Sequence, residues 1–82
     1  MRFTINDFYG IHARVATRIV NLVDLYSGEL NFVVGDKSVS ASSVIGLMQM
    51  GVKQGDIVTL EYIKPMKNQV EFEKLLLKII EG

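Results

Sequence analysis

The sequence predicts an α+β fold, one β-sheet with helices on one face, in the order β-α-β-β-α-β-α. Three observations carry that prediction. Long stretches near each end repeat their apolar residues with helical spacing, and four shorter segments read as strands, most by a period of two. Glycine, serine, asparagine and proline punctuate the junctions between them.

Met1–Asn6 alternates, with Phe3 and Ile5 on one side, and reads as the first strand. Asp7–Ile11 is a loop containing Gly10. From His12 or Ala13 the period changes, and Ala16, Ile19, Val20 and Val23 form the stripe of a helix lying on a sheet. That helix is expected to stop near Tyr26, where Ser27-Gly28 tolerates a left-handed conformation. Leu30, Phe32 and Val34 alternate with Asn31 and Val33 in a second strand. Gly35-Asp36 is a two-residue hairpin turn into a third strand, Lys37–Ser40. Ser42 and Ser43 precede the apolar stretch Val44–Met50, which ends at Gly51, the punctuation of a helix of about two turns. Gly55-Asp56 turns the chain into a fourth strand, Ile57–Lys64, with Val58, Leu60 and Tyr62 on one face and Pro65 at its end. Asn68 is placed to cap the last helix, with Glu71 as its capping-box partner. Phe72, Leu75, Leu76, Ile79 and Ile80 supply that helix's apolar stripe.

At 82 residues the chain is expected to form a single domain, 1–82, with most of its apolar residues in one core. Hydrophobic residues make up 49% and charged residues 22%, too apolar a mixture for disorder. Nine basic and nine acidic side chains cancel, which argues against a general nucleic-acid binder. Cysteine is absent and histidine occurs once, so disulfides, thiolate metal sites and histidine-rich metal clusters are excluded; no metal or cofactor is expected. MRFTINDFYG lacks the apolar stretch of a signal peptide, and no run approaches the roughly 18 residues of a membrane span. A soluble intracellular domain is the expectation.

The chemistry centres on His12, between a glycine loop and the first long helix. Backbone N–H groups at a helix start lack intrahelical partners, and the macrodipole is positive there. Such an end ordinarily attracts Asp or Glu. Here the first turns carry Arg14 and Arg18 and no acid. An anion would reverse that electrostatic penalty, so Gly10-Ile11-His12-Ala13-Arg14 reads as an anion pocket of imidazole, free N–H groups and guanidinium. A neutral imidazole also has a lone pair with which to take up a phosphoryl group. The competing reading makes His12 a plain surface capping residue.

Gly10-Ile11-His12-Ala13-Arg14-Val15-Ala16-Thr17 closely resembles the phosphorylation-site motif of HPr, the histidine-containing phosphocarrier of the bacterial sugar phosphotransferase system. Ser43-Val44-Ile45-Gly46-Leu47-Met48-Gln49-Met50-Gly51 resembles the family's second signature, a short helix headed by a regulatory serine. The resemblance implies an open-faced β-sandwich, a four-stranded antiparallel sheet covered on one face by three helices. It implies phosphorylation of His12 on Nδ1 by enzyme I, with Arg14 pairing the phosphoryl oxygens, and onward transfer to a sugar-specific enzyme IIA. The protein would then be a cytoplasmic carrier with a transient phosphohistidine rather than a stand-alone enzyme, and nothing suggests an obligate dimer. Ser43 matches the serine modified by HPr kinase/phosphorylase, a modification that serves catabolite repression through a transcription regulator; Ser42 is its rival.

Leu47 and Met50 look like the inward pair of the short helix. Val44, Ile45 and Met48, with Thr17, would then match the family's docking surface, although the periodicity equally allows all five apolar residues to be core. Two positions depart from the family pattern: Val15 replaces its proline, and Tyr9 replaces a small polar residue and is placed to shade the imidazole or stack upon it. Two other functions compete with the carrier. One is an HPr-like regulator acting through phosphorylated Ser43; the other, more distant, is a hydrolase of acylphosphatase type, which leaves the serine helix unexplained.

Overall fold

The computed structural model describes residues 1–81. Its elements are β1 (Arg2–Thr4), α1 (Ala13–Leu25), β2 (Glu29–Val34), β3 (Lys37–Ser40), α2 (Val44–Gln49), β4 (Ile57–Lys64) and α3 (Gln69–Glu81). All strand pairs are antiparallel, in the order β1-β4-β2-β3. The sheet is open, as the sequence pattern and the family resemblance imply. The first strand is shorter than Met1–Asn6. Ile5 leaves the ladder yet stays tied to the loop before β4, donating to Asp56 and accepting from Gly55 through backbone groups.

The alternation within the strands decides which face the helices cover. Phe3, Leu30, Phe32, Val58 and Leu60 are all buried, and the register sets Phe3 opposite Val58 and Phe32 opposite Leu60. Phe3 and Phe32 meet edge to face across β4, with ring centroids 5.8 Å apart. Onto this face α1 buries Val15, Ala16, Ile19, Leu22 and Val23, and α3 buries Phe72, Leu76 and Ile80. The α1 stripe is therefore wider than predicted: Val15 and Leu22 join it, while Val20 is only partly buried.

Two terminators work differently from their sequence reading. After α1, Ser27 rather than Gly28 adopts the left-handed backbone, with φ 55°. Gly28 instead leaves space for Met66, whose buried side chain would have to shift to admit a Cβ there. At α3, Asn68 Oδ1 accepts from the Glu71 N–H at 3.2 Å, as predicted for a cap. The Glu71 carboxylate completes the pair by accepting from the Asn68 side-chain amide at 3.1 Å, and it also accepts from Tyr26 Oη at 2.8 Å.

A second tyrosine ties α3 to the sheet. Tyr62 Oη donates to Glu73 Oε2 at 2.6 Å. Burial first, and then this bond to an anion, raise the tyrosine's pKa above its ordinary value of 10.0. The stabilising contribution is thus fully present below pH 10 and is lost as pH rises through the folded-state value. Tyr62→Phe should cost about 0.5–1.5 kcal/mol at pH 8. Wild type should also lose more stability than the variant between pH 8 and pH 11, which urea denaturation at the two pH values measures.

Candidate functional site

His12 is held in place by neighbours that are not themselves reactive. Ile11 on one side and Val15 and Ala16 on the other are buried, so the chain is pinned directly before the imidazole and again three residues after it, past the exposed Ala13 and Arg14. His12 is the N-cap of α1, extended at φ −92° and ψ 176°, and its side chain is only part-exposed. Its carbonyl accepts the first intrahelical bond, from the Ala16 N–H at 2.9 Å. The imidazole accepts nothing from the helix, so the N–H groups of Ala13, Arg14 and Val15 have no side-chain cap from it. No acid stands in the first turn, and Arg14 and Arg18 enter no ion pair among the described residues. His12 thus occupies the cap position without its ring making a capping bond.

The loop before the helix is a tight turn. The Gly10 N–H donates to the Asp7 carbonyl at 3.0 Å, and the Tyr9 N–H donates to Asp7 Oδ1 at 2.8 Å. Gly10 is buried at φ +66°, and a Cβ there would overlap the Val52 carbonyl. The loop thus lies directly on the segment that follows α2. This turn also sends the second carboxylate oxygen of Asp7 towards the ring: Asp7 Oδ2 stands 3.9 Å from His12 Nε2. That contact was missed in the sequence, where Asp7 reads only as a loop residue; its one signal is an Asp three positions before Gly10, the spacing of a side-chain-stabilised turn.

Tyr9 does not shade or stack on the imidazole as expected. Its ring meets Phe8 edge to face at 5.3 Å, and both rings are about three-quarters exposed. Phe8 and Tyr9 are the two central residues of the turn, which leaves both rings in solvent.

At α2, Ser43 Oγ accepts from the Gly46 N–H at 2.9 Å, making Ser43 and not Ser42 the cap. The serine is half-buried. Leu47 and Met50 are buried, as the inward pair should be. Ile45 is 67% exposed and Met48 45% exposed, whereas Val44 is half-buried against the core. The patch proper is thus narrower on α2 than the sequence suggested. Thr17 is exposed, with its hydroxyl donating to the Ala13 carbonyl at 2.8 Å. A groove lined by Arg18, Leu22, Leu75, Lys78 and Ile79 lies between α1 and α3 and includes none of the residues around the imidazole. Among the described residues no group of three His, Asp or Glu side chains is arranged to hold a metal ion, and no helix is long and apolar enough to cross a membrane.

The arrangement is thus an open four-stranded sheet whose first helix begins, without a side-chain cap, at the single histidine. The HPr protein HPr-C-His of Thermoanaerobacter tengcongensis superposes with a TM-score of 0.81 at 31% identity, over 99% of this chain and 89% of that one. The model of the PTS HPr component phosphorylation site matches residues 1–74, and the chain belongs to that family. A phosphocarrier protein NPr of Shewanella violacea is 39% identical over 57 residues, which are 70% of this chain and 63% of that protein. A multiphosphoryl transfer protein of Xanthomonas campestris is 37% identical over 51 residues, 62% of this chain and only 6% of that protein. The matches therefore span less than two thirds of the length of these relatives.

Gly10→Ala tests how the ring is held. The left-handed backbone alone costs a non-glycine residue about 1–2 kcal/mol, and the overlap with Val52 adds to it. Thermal or urea denaturation should show a loss of at least that size, and the amide resonances of residues 7–12 and 52–53 should shift together.

Proposed function

We propose that this chain is a phosphoryl carrier of the phosphoenolpyruvate-dependent sugar phosphotransferase system. His12 accepts the group from phosphorylated enzyme I and passes it to a sugar-specific enzyme IIA. The observation that carries this reading is the uncapped start of α1 with an imidazole at its N-cap and an unpaired Arg14 in its first turn. The likeness to a phosphocarrier protein NPr supports the carrier role and leaves the acceptor open.

The step is simple to balance. The Nδ1 lone pair forms the N–P bond as the donor's bond to phosphorus breaks, and the electron pair of that bond stays with the donor. The free N–H groups and the Arg14 guanidinium stabilise the charge on the phosphoryl oxygens. Catalysis of this kind rests on positioning and electrostatics rather than on further covalent chemistry. Because the helix start is open to solvent, the stabilisation stays modest, as a carrier that must release its cargo requires. Residues 1–82 act as one domain, a cytoplasmic monomer that meets its partners in turn.

The partner surface is Ile45 and Met48 with the edge of Val44 and with Thr17. The exposed Phe8 and Tyr9 extend the apolar area on the loop side of the ring. Methionine, flexible and polarizable, adapts to differently shaped partners.

A second, regulatory reading is favoured by the position of Ser43. Phosphate there, added by an HPr kinase/phosphorylase, would lie at the start of α2, where its oxygens replace the hydroxyl as acceptor from Gly46. It would change partner choice, including that of a transcription regulator, while leaving the fold intact.

The deciding experiment incubates the protein with phosphoenolpyruvate and enzyme I and follows intact mass. One acid-labile phosphoryl group should appear and should be absent in His12→Ala. Arg14→Ala should slow transfer by about tenfold to a hundredfold, the worth of one charge-assisted contact. No gain in mass with enzyme I of the native host would sink the carrier reading. A gain only with ATP and the kinase, abolished by Ser43→Ala, would favour the regulator.

A further inference from the structure

We propose that Asp7 is a positioning residue for His12: it holds the proton on Nε2 and so leaves the lone pair on Nδ1. This rests on the carrier reading for its consequence, though not for its test. The two oxygens of the Asp7 carboxylate have separate work. Oδ1 accepts from the Tyr9 N–H at 2.8 Å and fixes the carboxylate within its own turn. Oδ2 faces His12 Nε2 at 3.9 Å, too far for a formed hydrogen bond and within reach of one if the ring moves by about an ångström. Both side chains are about one-third exposed, so the contact is only partly screened by water.

A carboxylate accepts and does not donate, so the tautomer it favours is the one with hydrogen on Nε2. In that tautomer Nδ1 carries the lone pair that attacks phosphorus. As the N–P bond forms, the ring becomes positively charged with its Nε2 proton still in place, and Asp7 is the anion beside it. A carboxylate that orients and steadies an imidazole in this way is the logic of the acid in a serine-protease triad, here without the serine.

Asp7→Asn separates this role from a structural one. Its amide oxygen still accepts from Tyr9, so the turn is kept, but its NH₂ group now faces Nε2 as a donor. The nitrogen-15 shifts of the unphosphorylated ring report the tautomer ratio directly. Relative to wild type, the Nε2–H to Nδ1–H ratio should fall by about threefold or more in Asp7→Asn, the effect expected of one partly exposed charge contact. Phosphorylation of His12 by potassium phosphoramidate, a small donor that needs no partner protein, should slow in parallel. Asp7→Ala, with neither donor nor acceptor, should fall between wild type and Asp7→Asn in tautomer ratio. An unchanged ratio in both variants overturns the proposal, and so does a changed ratio with an unchanged rate. If wild type takes no phosphoryl group from enzyme I, the carrier reading fails, while the tautomer ratio still decides whether Asp7 governs the ring.

Discussion

The site depends on one constraint: the chain is anchored in the core just before His12, at Ile11, and again one helical turn later, at Val15. Ile11 and Val15 commit the flanking backbone to the core, and Gly10 lies against the Val52 carbonyl with no room for a side chain. Burial of two such aliphatic side chains stabilises by about 1.5–3 kcal/mol each, more than a part-exposed histidine could gain by rearranging. The ring therefore stands at a helix start because its neighbours cannot leave the core. The same burial accounts for Val15, which fills space in the core from a position where the family pattern has a proline.

From that placement the electrostatics follow. Dipole and free N–H groups favour an anion at the first turn of α1, yet the residues supplied are cations. A protein selected for stability alone would put Asp or Glu there. The mismatch is tolerable because it costs only tenths of a kcal/mol per charge at an exposed helix end, and stability is supplied elsewhere. The capped start of α3 shows the contrast: Asn68 and Glu71 satisfy each other and also hold Tyr26. One helix start is finished and the other is left open, within the same small fold.

Much of this was legible in the sequence because it is written in local patterns. The third and fourth strands, Lys37–Ser40 and Ile57–Lys64, have the bounds that alternation and turn residues gave them, and Ser43 caps α2 as serine before an apolar run should. The family motif located His12 and Arg14 together. What escaped notice depends on three-dimensional proximity. Gly28 lies against Met66, far along the chain, and the left-handed residue is its neighbour Ser27. Tyr9 meets Phe8 edge to face at the centre of a turn that the periodicity did not resolve. The Asp7–His12 contact arises from the same turn, and no periodicity encodes it.

With Nε2 beside the Asp7 carboxylate, Nδ1 is the ring nitrogen expected to take the phosphoryl group. Nitrogen-15 and phosphorus-31 spectra of the phosphorylated protein locate the modified ring nitrogen. A phosphorus coupling to Nδ1 of His12, with Nε2 still bearing its proton, is the predicted result. Phosphate on Nε2, or on any residue other than His12, would contradict the account.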